Sequence, residues 1–157
     1  MSKKIEILNS HLQKIDRYIP YFQNKNLDFS NVSVGWQLDH ALKVINGVSV
    51  ILAKTDPKKF KKDFNIRRSI IFTIGFIPRG RAKAPKQVLP PEIITEEDLY
   101  AQLKTAQEHI KTIDKVDENA FFIHHIFGNL NKAQTLRFLD IHTNHHLKIV
   151  EDIIKNK

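Results

Sequence analysis

The chain has 157 residues, 41% of them hydrophobic, no cysteine, and a formal net charge of +8. That length suits one domain with its own core, and the missing cysteines exclude disulfide scaffolds, thiolate metal sites and cysteine nucleophiles. The apolar fraction argues against a disordered tail, and the longest strongly apolar run, residues 70–77, is far below the roughly 20 residues a bilayer-spanning helix needs.

The N-terminal stretch MSKKIEILNS carries no apolar core of a secretory signal, so a cytoplasmic location is expected. Helical periodicity begins at about Lys3 and runs to Phe22, with Ile5, Leu8, Leu12, Ile15 and Ile19 on one face. Residues 24–31 form a polar connection. Ser33 caps a second helix that runs to about Lys54, where Asp56-Pro57 stops it. Its apolar stripe is Val34, Leu38, Ala41, Ile45, Val48 and Leu52.

A long excursion follows, from residue 56 to about residue 94. The charge is concentrated there: residues 54–86 hold eleven Lys or Arg against Asp56 and Asp63, a net of +9, while the remainder of the chain is at −1. Residues 65–77 are expected to form a short helix, with Ile70 to Ile77 covered by the rest of the protein or by a second subunit, because exposed apolar patches of that size are uncommon. A basic rim around an apolar patch also suits nucleic acid, an anionic membrane surface or an acidic partner.

Thr95 starts the third main helix, with Glu96, Glu97 and Asp98 at the positive end of its dipole, and the helix runs to about Val116. Residues 117–130 read as an aromatic, His-rich connection with no convincing hairpin. Asn131 and Gln134 look like a capping box for the last helix, which continues to about Ile154. The expected fold is therefore all-α, a single domain over residues 1–157: a four-helix bundle with a long crossover between helices 2 and 3, the second and last helices being neighbours.

The last helix carries the pattern with most chemistry in it, Ile141-His142-Thr143-Asn144-His145-His146. His142 and His146 are four residues apart on the face that also holds Leu139, Ile149 and Ile153, so both imidazoles point inward one turn apart. His40 lies mid-way along the second helix at similar depth. Three neutral imidazoles with open positions suit one divalent ion, although an isolated His-x-x-x-His pair also occurs with no metal role. No Glu accompanies them to complete a di-iron site. Trp36, His125 and His145 are expected to line the pocket or to support the ligands. Asp39 and Asp140 adjoin ligands in sequence but face elsewhere. His124 reads as loop packing, and His11 and His109 as ordinary helix-surface residues.

Three ordered segments, Trp36-Gln37-Leu38-Asp39-His40, His125-Ile126-Phe127-Gly128-Asn129-Leu130 and His142-Thr143-Asn144-His145-His146-Leu147-Lys148, together resemble the DinB-like (YfiT-like) superfamily. The resemblance covers most of the chain. It implies a crossed, down-up-up-down four-helix bundle, a homodimer, and Zn or Ni held by His40, His142 and His146. It further implies a small-molecule substrate, with S-transferase, isomerase or hydrolase chemistry. In the transferase case a low-molecular-weight thiol such as glutathione or bacillithiol supplies the sulfur. The basic excursion departs from the better-understood members, and no substrate residue maps onto it.

Overall fold

The computed structural model describes residues 2–80 and 83–155. The chain is mostly helical. Its order is α1 (Lys3–Tyr18), α2 (Val34–Lys54), α3 (Ile66–Ile74), α4 (Glu96–Ile113), strands β1 (Phe121–His124) and β2 (Gly128–Asn131), and α5 (Lys132–Lys155), with short 3-10 turns at Ile19–Tyr21, Pro57–Lys59 and Lys86–Val88.

The helix boundaries follow the caps written in the sequence. The side chains of Ser2, Ser33, Asn65 and Thr95 each accept an amide of the first turn, as residues with short polar side chains do at an N-cap. At α5 the capping box closes in both directions: Gln134 N–H donates to Asn131 Oδ1 at 2.9 Å, and Asn131 N–H donates to Gln134 Oε1 at 3.1 Å. Gly75 ends α3 in the left-handed conformation, φ +67°, its N–H donating to the Ile71 carbonyl.

α2 packs against α4 and α5, and α1 packs against the same two helices. Cross-helix bonds give the directions. Asp39 with Gln102 and Asn46 with His109 advance together, so α2 and α4 run parallel. Lys4 with Ala133, His11 with Asp140 and Tyr18 with Glu151 make α1 and α5 parallel. Gln37 meets His146 while His40 meets His142, which makes α2 and α5 antiparallel. The apolar stripes of all four helices, among them Leu8, Leu42, Leu99, Ile110 and Val150, form one core.

Three expectations need correction. Residues 121–131 contain a two-stranded antiparallel hairpin, pairing Phe121 with Asn131 and His124 with Gly128. Its three-residue loop and Gly128 at φ +72° match a turn closed by a left-handed residue, a conformation in which glycine avoids the Cβ clash. His11 is buried, 8% exposed, and donates from Nε2 to Asp140 Oδ1 at 2.8 Å; His109 donates from Nδ1 to Asn46. Neither is a free surface residue. The run from Ile70 to Ile77 is only half covered: Ile71 and Phe72 pack on the core, whereas Ile70, Ile74 and Phe76 stand in solvent.

No helix among the described residues is long and apolar enough to cross a membrane.

Candidate metal centre

α2 and α5 cross where each has an inward histidine, and there the three imidazoles meet. One ring nitrogen from each of His40, His142 and His146 lies within 4.8 Å of the other two. The His142 and His146 Nε2 atoms are 3.3 Å apart. Two nitrogens each about 2.0–2.1 Å from a tetrahedral zinc ion would stand about 3.3 Å apart, so this side of the triangle already has the spacing of a ligand pair.

The outer nitrogens decide which lone pairs face inward. His40 Nδ1–H donates to the Val88 carbonyl at 2.8 Å, and His146 Nδ1–H donates to Gln37 Oε1 at 2.6 Å. Gln37 is held in that orientation because its Nε2 donates to Ser30 Oγ at 3.2 Å. With Nδ1 protonated, the neutral ring keeps its lone pair on Nε2, the nitrogen a metal would take. His142 is the exception, since its Nδ1 is buried and bonds nothing.

Burial keeps the cluster neutral. It pushes His142 and His146 well below the usual imidazole range, and each is lowered further by the neighbouring histidines. His40 is lowered for the same first reason, against the opposing pull of the Val88 carbonyl and Asp39. Two lone pairs facing each other at 3.3 Å repel unless a proton or a cation is shared between them. The donor set therefore fits a divalent ion: three neutral imidazoles, two of them locked in the ligating tautomer.

The cluster opens onto a cavity of about 1090 Å³. Val44 and Val48 of α2, Thr105 of α4, Phe122 of β1 and Val88 of the excursion form parts of its wall. Trp36 stacks on His40, ring centroids 5.3 Å apart, and also lines the cavity. His145 lies against the edge of His146 and donates from Nδ1 to the Ile77 carbonyl at 3.0 Å, so it ties the excursion to α5. His125 is exposed at the rim and stacks on His124. Asp39 and Asp140 do face away. The first, 2% exposed, is bonded to Lys43 and Gln102, and the second to His11 and Arg137. Among the described residues no carboxylate lines the cavity.

Several contributors went unread in the sequence. Gln37 was the most legible, one turn before His40 on the same helical face. His124 accepts the amides of Ile126 and Phe127 on Nδ1 and packs against Phe127 and Phe138; burial, then His125, pushes its pKa down to about 4. Only a recognised hairpin would have assigned it that task. The Val88 carbonyl had no signal, because its role depends on how the excursion folds back.

No protein-family model, curated protein or solved structure matches the chain.

Proposed function

We propose that this chain is a metal-dependent protein of the DinB-like (YfiT-like) type, using His40, His142 and His146 to hold one Zn or Ni ion for reaction of a small molecule with a low-molecular-weight thiol. The convergence of three neutral imidazoles at the floor of a large cavity carries the reading. The parallel α2 and α4, joined by the long excursion, support the crossed four-helix bundle of that superfamily. Bound there, the ion would supply a position at which a thiol or water loses its proton near neutral pH.

The cavity wall favours the thiol over water. A thiol with an unperturbed pKa of about 8.5 needs little help to ionise, whereas water starts near 15.7 and profits from a general base. No described carboxylate stands in the cavity to act as that base, and burial lowers the pKa of the His124 and His145 imidazoles on its wall, which makes them weak bases. Lys83 borders the cavity and offers positive charge to an anionic thiol such as glutathione, whereas Lys43 is already paired with Asp39. Val44, Val48 and Phe122 would receive an apolar substrate body. S-transfer is thus preferred to hydrolysis.

Cobalt substitution tests both halves. Protein loaded with Co(II) should take up about one ion per chain and develop a sulfur-to-cobalt charge-transfer band when glutathione is added. No uptake removes the metal reading. Uptake with a spectrum that water exchange alone accounts for, and that glutathione leaves unchanged, removes the thiol reading and leaves hydrolysis.

A further inference from the structure

α3 presents an apolar line to solvent. Ile66, Ile70 and Ile74, spaced four apart along one face, are 63%, 54% and 58% exposed. Phe64, 85% exposed, and Phe76, 48% exposed, extend it at the two ends. Isolated exposed apolar residues are ordinary, but five large ones on and beside a nine-residue helix form a patch.

This face cannot roll inward, because the opposite face is fastened. The Arg68 guanidinium is buried and donates to Asp63 Oδ1 at 2.7 Å, to the Asp63 carbonyl at 2.7 Å, to the Phe127 carbonyl at 2.9 Å and to the Asn129 carbonyl at 3.1 Å. Arg137 holds the Phe72 carbonyl from α5, and Ile71 and Phe72 pack on the core. The hydroxyls of Ser69 and Thr73, which flank the line, donate back into the helix, to the carbonyls of Asn65 and Ser69. Their hydrogen-bonding protons therefore need no water. The exposed apolar line is a fixed feature of the fold.

The segment that leads into the N-terminal end of α3 holds the densest positive charge of the chain. Lys58, Lys59, Lys61, Lys62 and Arg67 are all exposed, and none forms an ion pair with a carboxylate among the described residues. Residues 54–86 carry +9 against −1 for everything else. Two copies meeting through this face would bring like charges together. A duplex nucleic acid would satisfy the lysines but offers no hydrocarbon to the isoleucines. An anionic bilayer answers both features, with acyl chains for the apolar line and headgroup phosphates for the rim.

We infer that α3 and its flanking lysines seat the protein on the surface of an anionic lipid bilayer, with Ile66, Ile70 and Ile74 entering the headgroup–acyl boundary. This docking is independent of the metal reading, since none of the three isoleucines borders the histidine cavity.

Co-sedimentation of the intact chain with phosphatidylglycerol–phosphatidylcholine vesicles tests it, with pure phosphatidylcholine vesicles as the reference. Retention is expected on the anionic vesicles only, weakening as NaCl is raised. The double variant I70E/I74E should lose on the order of tenfold or more in partitioning. These positions are exposed, so an unchanged circular dichroism spectrum and melting curve should show that the fold persists. I70V/I74V, which keeps the apolar character, should bind nearly as the parent does. Absence of retention at low salt overturns the inference, as does retention that I70E/I74E leaves intact. A dimer that dissociates on I70E/I74E substitution would assign the face to a second copy and equally overturn it, as would duplex DNA binding without vesicle binding.

Discussion

A histidine's worth as a ligand depends on what holds its other nitrogen, and here the three differ. His146 is tied to Gln37 and His40 to Val88, whereas His142 Nδ1 has no partner. Gln37→Leu should therefore leave the fold intact but loosen the tautomer and orientation of His146, weakening Zn affinity about 10–100-fold by calorimetric titration. His142→Ala should abolish stoichiometric binding while preserving helicity, since alanine is the best helix former. Unchanged Zn stoichiometry in that variant would mean that other residues are the ligands. The His142–His146 pair was readable because helical spacing aligns residues four apart, whereas His40 was added from its similar depth on a neighbouring helix and from the family resemblance. His11 was readable too and was missed: it stands three after Leu8 and four before Ile15, within the buried stripe. Its partner Asp140 was not, because 129 residues separate them and only the packing of α1 on α5 brings them together.

Elements were legible where their signals are local. Caps and periodicity located all four long helices, whereas the short helix expected over residues 65–77 stops earlier, at Ile74, because Gly75 caps it. The hairpin escaped because Phe121 to Phe127 is apolar and aromatic without the alternation that marks a half-buried strand; its strands are only four residues long. What makes it a hairpin is tertiary: Thr55 Oγ1 accepts the Phe121 amide, and Asp63 accepts the amide of Asn129. Gly128 sits where that structure is least tolerant. Its φ is +72°, and a Cβ there would collide with the Asp63 carboxylate that Arg68 holds in place. Gly128→Ala should cost about 2–3 kcal/mol in urea unfolding, combining left-handed strain with the displaced Asp63. Because Phe122 and His124 line the cavity, the same change should weaken any ligand that fills it. A stability loss below about 0.5 kcal/mol would mean the turn can re-form without glycine.

At the scale of the whole molecule, the sequence showed the separation of charge but not how the excursion is placed. Its Val88 and Ile77 carbonyls reach His40 and His145, so the basic segment helps to build the histidine site while its apolar line faces outward. The folded chain thus encloses imidazoles that resist protonation, and this couples stability to pH. Burial is the largest cause of the lowered pKa values of His40, His124, His142 and His146, with His124 at about 4. In the unfolded chain each returns to about 6.5. Above that value both states are neutral at these rings and their full contribution to stability is present. As pH falls below it, the unfolded chain gains protons that the folded chain refuses, and stability declines through the folded values. Asp63 and Asp140 also have lowered pKa values, Asp63 mainly through the Asn129 amide and Asp140 mainly through His11, but they respond only at more acidic pH. A change between pH 7 and 5 therefore reports chiefly on the histidines. For metal-free protein the urea midpoint should fall steadily over that interval at constant m-value, and His142→Leu should flatten the fall by removing one of the titrating groups. Zn-loaded protein should start higher and fall more steeply, because protons compete with the ion for the same nitrogens. A midpoint independent of pH from 7 to 5 in the metal-free protein would show that these imidazoles are not held neutral by the fold.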